Sequence, residues 1–248
     1  MMLRNSTFIA DLNGEMHPSW KAFFTPEMES LLVSIEDIVI RTNYSPPSLW
    51  VLRFLELDLS KIKVLILGQD PYPQKNRATG RAFEVGGLMR WIQPFENSSL
   101  RTIMRSIYKA YTGEVITFNQ IRKIVSHAVP NKSLDILEPY VLFPNWESQG
   151  VLLLNSALTC EQDQAGSHSD LWHPFTQELL HYINEQNPNI IWFIWGKHAE
   201  KVVKDIPIAH KLVNAHPMIS KPFPKDMLFG DINPFYETRE LIHWLGKE

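Results

Sequence analysis

Four apolar runs constrain this chain more than any other feature. They are Val64-Leu65-Ile66-Leu67, Val151-Leu152-Leu153-Leu154, residues 190–195, and the shorter Leu212-Val213. A polar or glycine-bearing turn follows each. Strands that face water on one side alternate apolar and polar residues. Uninterrupted apolar runs suit strands buried on both faces, as in a parallel sheet covered by helices. Helical patterns lie between the runs. Thr25-Pro26-Glu27 reads as N-cap, N1 proline and first-turn acid, opening an amphipathic stretch to about Arg41. Ser99 reads as the cap of a helix reaching Tyr111, and Pro174 as N1 of a helix ending before Pro188. Residues 196–205 and 234–244 complete the set, with Asn233 capping the last. Residues 112–147 are the least readable, interrupted by Pro130, Pro139 and Pro144. Strands alternating with helices predict a three-layer α/β/α sandwich with a central, mostly parallel sheet. The simplest organisation is a single domain over residues 1–248, although length alone also admits two small ones.

Composition narrows the class. With 44% hydrophobic and 21% charged residues, the chain falls among soluble globular proteins. No apolar run at the start suits a secretory signal, and none further on suits a membrane span. The single cysteine, Cys160, excludes an internal disulfide and a four-cysteine metal or iron–sulfur site. A reducing, intracellular location follows as the expectation: cytoplasmic, or nuclear in a eukaryote. The net charge of −3 means that any nucleic-acid face must be local. One candidate is residues 74–81, with Lys75, Arg77 and Arg81 and no acid; taken alone it reads as an ordinary solvated loop.

In open α/β sheets, ligands sit outside the carboxyl ends of the strands. Gly68-Gln69-Asp70-Pro71-Tyr72-Pro73 follows the first run, Asn155 the second, and His216-Pro217 the fourth. Three strands thus offer a carboxylate, an amide and an imidazole to one crevice. Singly, each has a plainer reading: Asp before Pro starts turns, Asn caps strand ends, and a lone His is usually a satisfied surface or core group. Together they suggest a hydrolase or binding site without fixing its class. The phosphate-loop, dinucleotide, zinc-protease and nucleophile-elbow motifs are missing. His168 and His173, with Asp163 and Asp170, have the spacing of no standard metal site, so no metal is expected.

At these same residues the chain resembles the family-1 uracil-DNA glycosylases. The first match is Leu67-Gly68-Gln69-Asp70-Pro71-Tyr72 with Phe83 downstream. The second is Gln149-Gly150-Val151-Leu152-Leu153-Leu154-Asn155, continuing through Leu158-Thr159 to Ser167-His168. Trp195-Gly196 with Ala199 and Lys201 is the third; Ala215-His216-Pro217 and then Phe229-Gly230 is the fourth. Ser99-Leu100 and Ile107-Tyr108-Lys109 are similar to the family's serine-capped helix. The resemblance implies a DNA-repair hydrolase that flips uracil out of DNA and cuts its N-glycosidic bond, without metal or organic cofactor. It implies Asp70 and His216 as the catalytic pair. Gln69, Tyr72, Phe83 and Asn155 become the base pocket, Phe83 stacking on the ring and Tyr72 excluding the thymine methyl. Ser99, Pro217, Met218, Ile219 and Ser220 become DNA contacts.

Two departures stand out. The family usually has His after the Tyr of the first motif, where this chain has Pro73; a poxvirus branch is similar at this position. After His216-Pro217 the family has Ser-Pro-Leu, whose leucine wedges into the duplex, whereas this chain reads Met218-Ile219-Ser220-Lys221-Pro222-Phe223. Met218, Ile219 and Phe223 are all candidates for the wedge. These departures keep a rival class open, a DNA-binding or replication-accessory protein that retained the fold and lost useful catalysis. The expected partner is uracil-containing DNA, single- or double-stranded. A monomer is expected, a proteinaceous inhibitor or replication partner is left open, and no membrane is involved.

Overall fold

The structure is a computed structural model that describes residues 6–12, 14–125, 134–219 and 221–246. In chain order the elements are α1 (Thr7–Ala10), α2 (Pro26–Val39), β1 (Tyr44–Ser45), α3 (Ser48–Val51), β2 (Val64–Gly68), α4 (Ser98–Thr112), α5 (Phe118–Val125), α6 (Pro139–Ser148), β3 (Val151–Asn155), β4 (Cys160–Glu161), α7 (Ser169–Gln186), β5 (Ile191–Trp195), α8 (Gly196–Val202), β6 (His210–Asn214) and α9 (Pro234–Glu237). The four expected strands form one sheet in the order β3-β2-β5-β6, all parallel. A separate two-stranded antiparallel ribbon joins β1 to β4.

The apolar runs are continuous because the sheet feeds two cores. Leu65, Leu67, Leu152, Leu154, Trp192 and Ile194 face one, with α2, α7 and α8. Val64, Ile66, Val151, Leu153, Phe193 and Trp195 face the other, with α4, α5, α6 and α9. Period-2 alternation between two apolar layers yields an unbroken apolar string. The second core is aromatic: Phe235 and Trp244 meet at 5.0 Å between ring centroids, and Trp146 and Trp244 at 5.4 Å. Truncating one such ring to alanine costs about 3–5 kcal/mol.

Register places the site. Gly68 pairs with Asn155, and Trp195 with Asn214, so the strands end at one level. The helices after β2 cover one face, while α7 and α8, which follow β3 and β5, cover the other. The chain therefore leaves β2 in the opposite direction from both neighbours, opening a crevice around its carboxyl end.

Helix boundaries differ from expectation at several points. Thr25 does cap α2, accepting from the Met28 N–H at 3.4 Å, and Asn233 caps α9. Asn97, not Ser99, precedes α4, and Ser99 is its second residue. α7 starts at Ser169, so Pro174 lies inside it and withholds an N–H from the exposed Asp170 turn. Pro139 opens α6 instead of breaking a segment, and Pro144 is tolerated within that helix. α8 stops at Val202. α9 stops at Glu237, because the chain must turn at Thr238 to carry Ile242 and Trp244 into the core. Pro130 lies outside the described residues.

Candidate active site

A cavity of about 210 Å³ opens at the carboxyl end of the sheet. Gly68, Gln69, Asp70, Tyr72, Pro73, Phe83, Ser99, Asn155, His216 and Met218 are among its lining residues. The expected carboxylate, amide and imidazole thus converge from the ends of β2, β3 and β6.

Two glycines make room for these side chains. A β-carbon on Gly68 would stand 2.2 Å from Asn155 Oδ1 and 2.9 Å from the Ala82 β-carbon. Gly196 has φ +82° and would place a β-carbon 2.8 Å from that of His216. Phe83 adopts φ 65°, a left-handed conformation that costs a bulky residue about 1–3 kcal/mol and persists only where packing imposes it. Its ring lies 5.3 Å from that of Trp195 and 6.2 Å from that of His216.

The loop carrying Asp70 is fixed along its length by the segment after β3. The Ser156 N–H donates to the Gly68 carbonyl at 3.0 Å, and the Ala157 N–H to the Gln69 carbonyl at 2.8 Å. The Ser156 hydroxyl also donates to the Gln69 carbonyl, at 2.9 Å. The Cys160 thiol donates to the Pro71 carbonyl at 3.3 Å, and the Asp163 N–H to the Pro73 carbonyl at 3.1 Å. The Gly166 N–H reaches the carboxylate itself, donating to Asp70 Oδ2 at 2.6 Å.

Burial shapes the titration of the site. It raises the Asp70 pKa, partly opposed by the Gly166 hydrogen bond and the nearby His198. Burial lowers the His216 pKa, with His198 adding to the effect. The Met218 N–H donates to His216 Nδ1 at 3.2 Å, so a neutral His216 carries its proton on Nε2. Tyr72 is pushed up to about 12 by burial, against a hydrogen bond from Asn97, and stays a neutral phenol. Cys160, buried beneath the loop, is likewise pushed up to about 12 by burial and by Asp70, which makes it an unreactive thiol.

The basic stretch around residues 74–81 is partly dismantled. Arg81 Nη2 contacts Glu147 at 2.6 Å and Nη1 contacts Glu84 at 3.0 Å, with the arginine side chain only 10% exposed. It is a structural ion pair and no free cation; Lys75 and Arg77 remain exposed. Ser99 is buried at the start of α4, against the cavity. Beyond the buried Pro217, Met218 and Ile219 project with 65% and 47% exposure, and Phe223 is less exposed at 36%. Ser220 lies outside the described residues. Sequence reasoning missed the buried Asp226, whose carboxylate accepts from the N–H groups of Lys221 at 3.1 Å, Leu228 at 2.7 Å and Phe229 at 2.8 Å, shaping this loop. Among the described residues no group of three or more His, Cys, Asp or Glu is arranged to hold a metal, and no helix is long and apolar enough to cross a membrane.

Residues 55–244 match the family model of the uracil DNA glycosylase superfamily. The chain belongs to that family. The uracil-DNA glycosylase of Azobacteroides pseudotrichonymphae is 28% identical over 95% of this chain and 98% of its own length. That of Pseudoalteromonas translucida is 29% identical over 92% and 96%. Among solved structures, UNG from Nitratifractor salsuginis shares the fold at TM-score 0.64 and 24% identity, covering 82% of this chain and 85% of that one. Mimivirus uracil-DNA glycosylase does so at TM-score 0.65 and 24% identity, covering 97% and 86%. A variant of mimivirus UNG in complex with UGI matches at TM-score 0.58 and 27% identity, over 86% and 73%. The α/β/α architecture expected from the apolar runs, and the glycosylase fold implied by the motif resemblance, are therefore the ones observed.

Proposed function

We propose that this glycosylase excises uracil from DNA through Asp70 and His216, with Gln69, Tyr72, Phe83 and Asn155 holding the extruded base. The observation that carries this assignment is the convergence of all six around one cavity, at the aligned ends of three strands. The cavity, about 210 Å³, is small beside the roughly 300–1,000 Å³ of sites for drug-sized ligands, and suits a single planar ring. A base inside a duplex is out of reach, so it must be flipped out at a cost of a few kcal/mol. Phe83 offers its ring as the stacking surface. The anchored Tyr72 occupies the space that a methyl group would need. The Asn155 amide both donates and accepts, as the uracil edge requires.

Bond cleavage leaves a cationic sugar and a uracil anion. The Asp70 carboxylate stabilises the first and orients the attacking water. The Nε2–H of neutral His216 donates to the charge developing on the base oxygen. Met218 is the candidate wedge, because it both lines the cavity and is the most exposed of the three apolar residues considered. Ser99, with Pro217 and Ile219, supports the flanking strand. Pro73 leaves the loop intact, its carbonyl held by Asp163. The buried free cysteine supports an intracellular site of action, and UGI offers a direct probe of the cleft.

Asp70→Asn tests the assignment. Release of uracil from a single-uracil oligonucleotide, single- and double-stranded, should fall by about 10² or more while DNA binding survives, and wild type should leave a thymine strand intact. A near-wild-type rate for the variant removes Asp70 from the mechanism.

A further inference from the structure

The ring of His198, in the first turn of α8, reaches across the end of β2 to the segment after β3. Its Nε2 lies 2.9 Å from Ser156 Oγ, which in turn lies 2.9 Å from the Gln69 carbonyl oxygen. A serine hydroxyl has one proton. Since Ser156 donates that proton to Gln69, it accepts from His198, which fixes the neutral imidazole as the Nε2–H tautomer. The Gln69 carbonyl belongs to the peptide that carries the Asp70 N–H, so whatever fixes that carbonyl fixes the stem of the catalytic carboxylate. Gly166 holds the other end of the same residue.

We propose that His198 is a positioning residue for glycosidic cleavage, acting through Ser156 on the Gln69–Asp70 peptide. The inference rests on Asp70 being the catalytic carboxylate. Neither His198 nor Ser156 lines the cavity. The groups facing His198 are Asp70 after β2, His216 after β6, His173 on α7 and Lys201 on its own helix. Burial lowers its pKa, Asp70 opposes that, and Lys201 and His173 add to it, so the ring is neutral at neutral pH and the donor geometry holds there. Gln69 and Asp70 are legible in the sequence as strand-end residues, whereas Ser156 does not stand out there. The histidine joins them only in three dimensions.

The test uses the full chain and a single-uracil oligonucleotide. His198→Ala should lower kcat about tenfold with KM within about twofold, the scale expected when a reacting group drifts by less than an ångström. His198→Gln should restore most of the loss, because the glutamine amide can present an N–H where Nε2–H stood. Ser156→Ala should lose as much as His198→Ala, and the double variant no more than either. Should His198→Ala fail to fold, the Gln and Ser156→Ala variants carry the test, as near-full activity against tenfold loss. Wild-type kcat in His198→Ala or Ser156→Ala, a Gln variant no better than Ala, or additive losses overturn the proposal. Failure of the underlying reading looks different: Asp70→Asn would then release uracil as fast as wild type.

Discussion

Gly68→Ala is the smallest change that should cripple this enzyme. Gly68 is not in the left-handed region, so alanine meets no backbone penalty there. The cost is local and steric. The new β-carbon would stand 2.2 Å from Asn155 Oδ1, where ordinary contact begins at 3.4 Å. The Ala82 β-carbon at 2.9 Å blocks escape in the other direction. The Asn155 amide must therefore retreat by about 1 Å, and misplacement on that scale costs about 10² in rate. At about 1.4 kcal/mol per tenfold, the loss in transition-state stabilisation is about 3 kcal/mol. Overpacking should take a further 1–3 kcal/mol, roughly, from stability, leaving the protein folded. Single-turnover release of uracil, with melting temperature measured beside it, reads both effects. Asn155→Ala removes the clashing atom, so the double variant should be no slower than Asn155→Ala alone. Release by Gly68→Ala within about threefold of wild type, or a double variant with additive losses, would refute the claim that Gly68 exists to seat Asn155.

Three further outcomes are expected. Arg81→Leu removes the guanidinium that bridges Glu84 and Glu147, so it should cost about 3–5 kcal/mol in denaturant unfolding. It should leave the salt slope of DNA binding unchanged; a slope smaller by about 0.9 would instead make Arg81 a phosphate contact. Met218→Ala should slow excision from duplex DNA more than from single strands, and equal effects on both would move the wedge to another residue. His168, His198 and His216 all have pKa values lowered by burial from the ordinary 6.5. The unfolded chain therefore binds more protons as pH falls below 6.5, and stability present above that pH declines until the lowered folded values are passed. Melting temperatures between about pH 8 and about pH 5 should fall on the acid side, and a flat profile would contradict the burial of these rings.

The parts of the site that were legible in the sequence are those that a strand delivers by itself. Asp70, Asn155 and His216 each stand at or just beyond the end of an apolar run, and parallel register brings run ends to one level. What stayed hidden depends on contacts between distant segments. Gly166 is 96 residues from the carboxylate it holds, and nothing in Ala165-Gly166-Ser167 announces a donor. The Arg81–Glu147 pair turned an apparent basic loop into a structural ion pair for the same reason. Helix ends were misplaced where proline was read as a boundary, since the sequence does not show whether tertiary packing will tolerate its missing N–H. Asp226 was invisible because a buried acid capping three backbone N–H groups has the same local spelling as a solvated one.

The same burial shifts the two proposed catalytic groups in opposite directions. Desolvation raises Asp70 and lowers His216, disfavouring the charged form of each. For His216 that is the wanted state, since a neutral Nε2–H can donate to a developing anion without being ionised beforehand. For Asp70 the carboxylate must remain ionised, and the Gly166 hydrogen bond and His198 limit the upward shift. A carboxylate poorly solvated before the reaction interacts more strongly with a cation formed beside it, because fixed dipoles rather than water surround both. The favourable electrostatics then appear as the glycosidic bond breaks and not when the DNA first binds. Stabilising the transition state needs one carboxylate and one imidazole held at fixed positions in a small cleft.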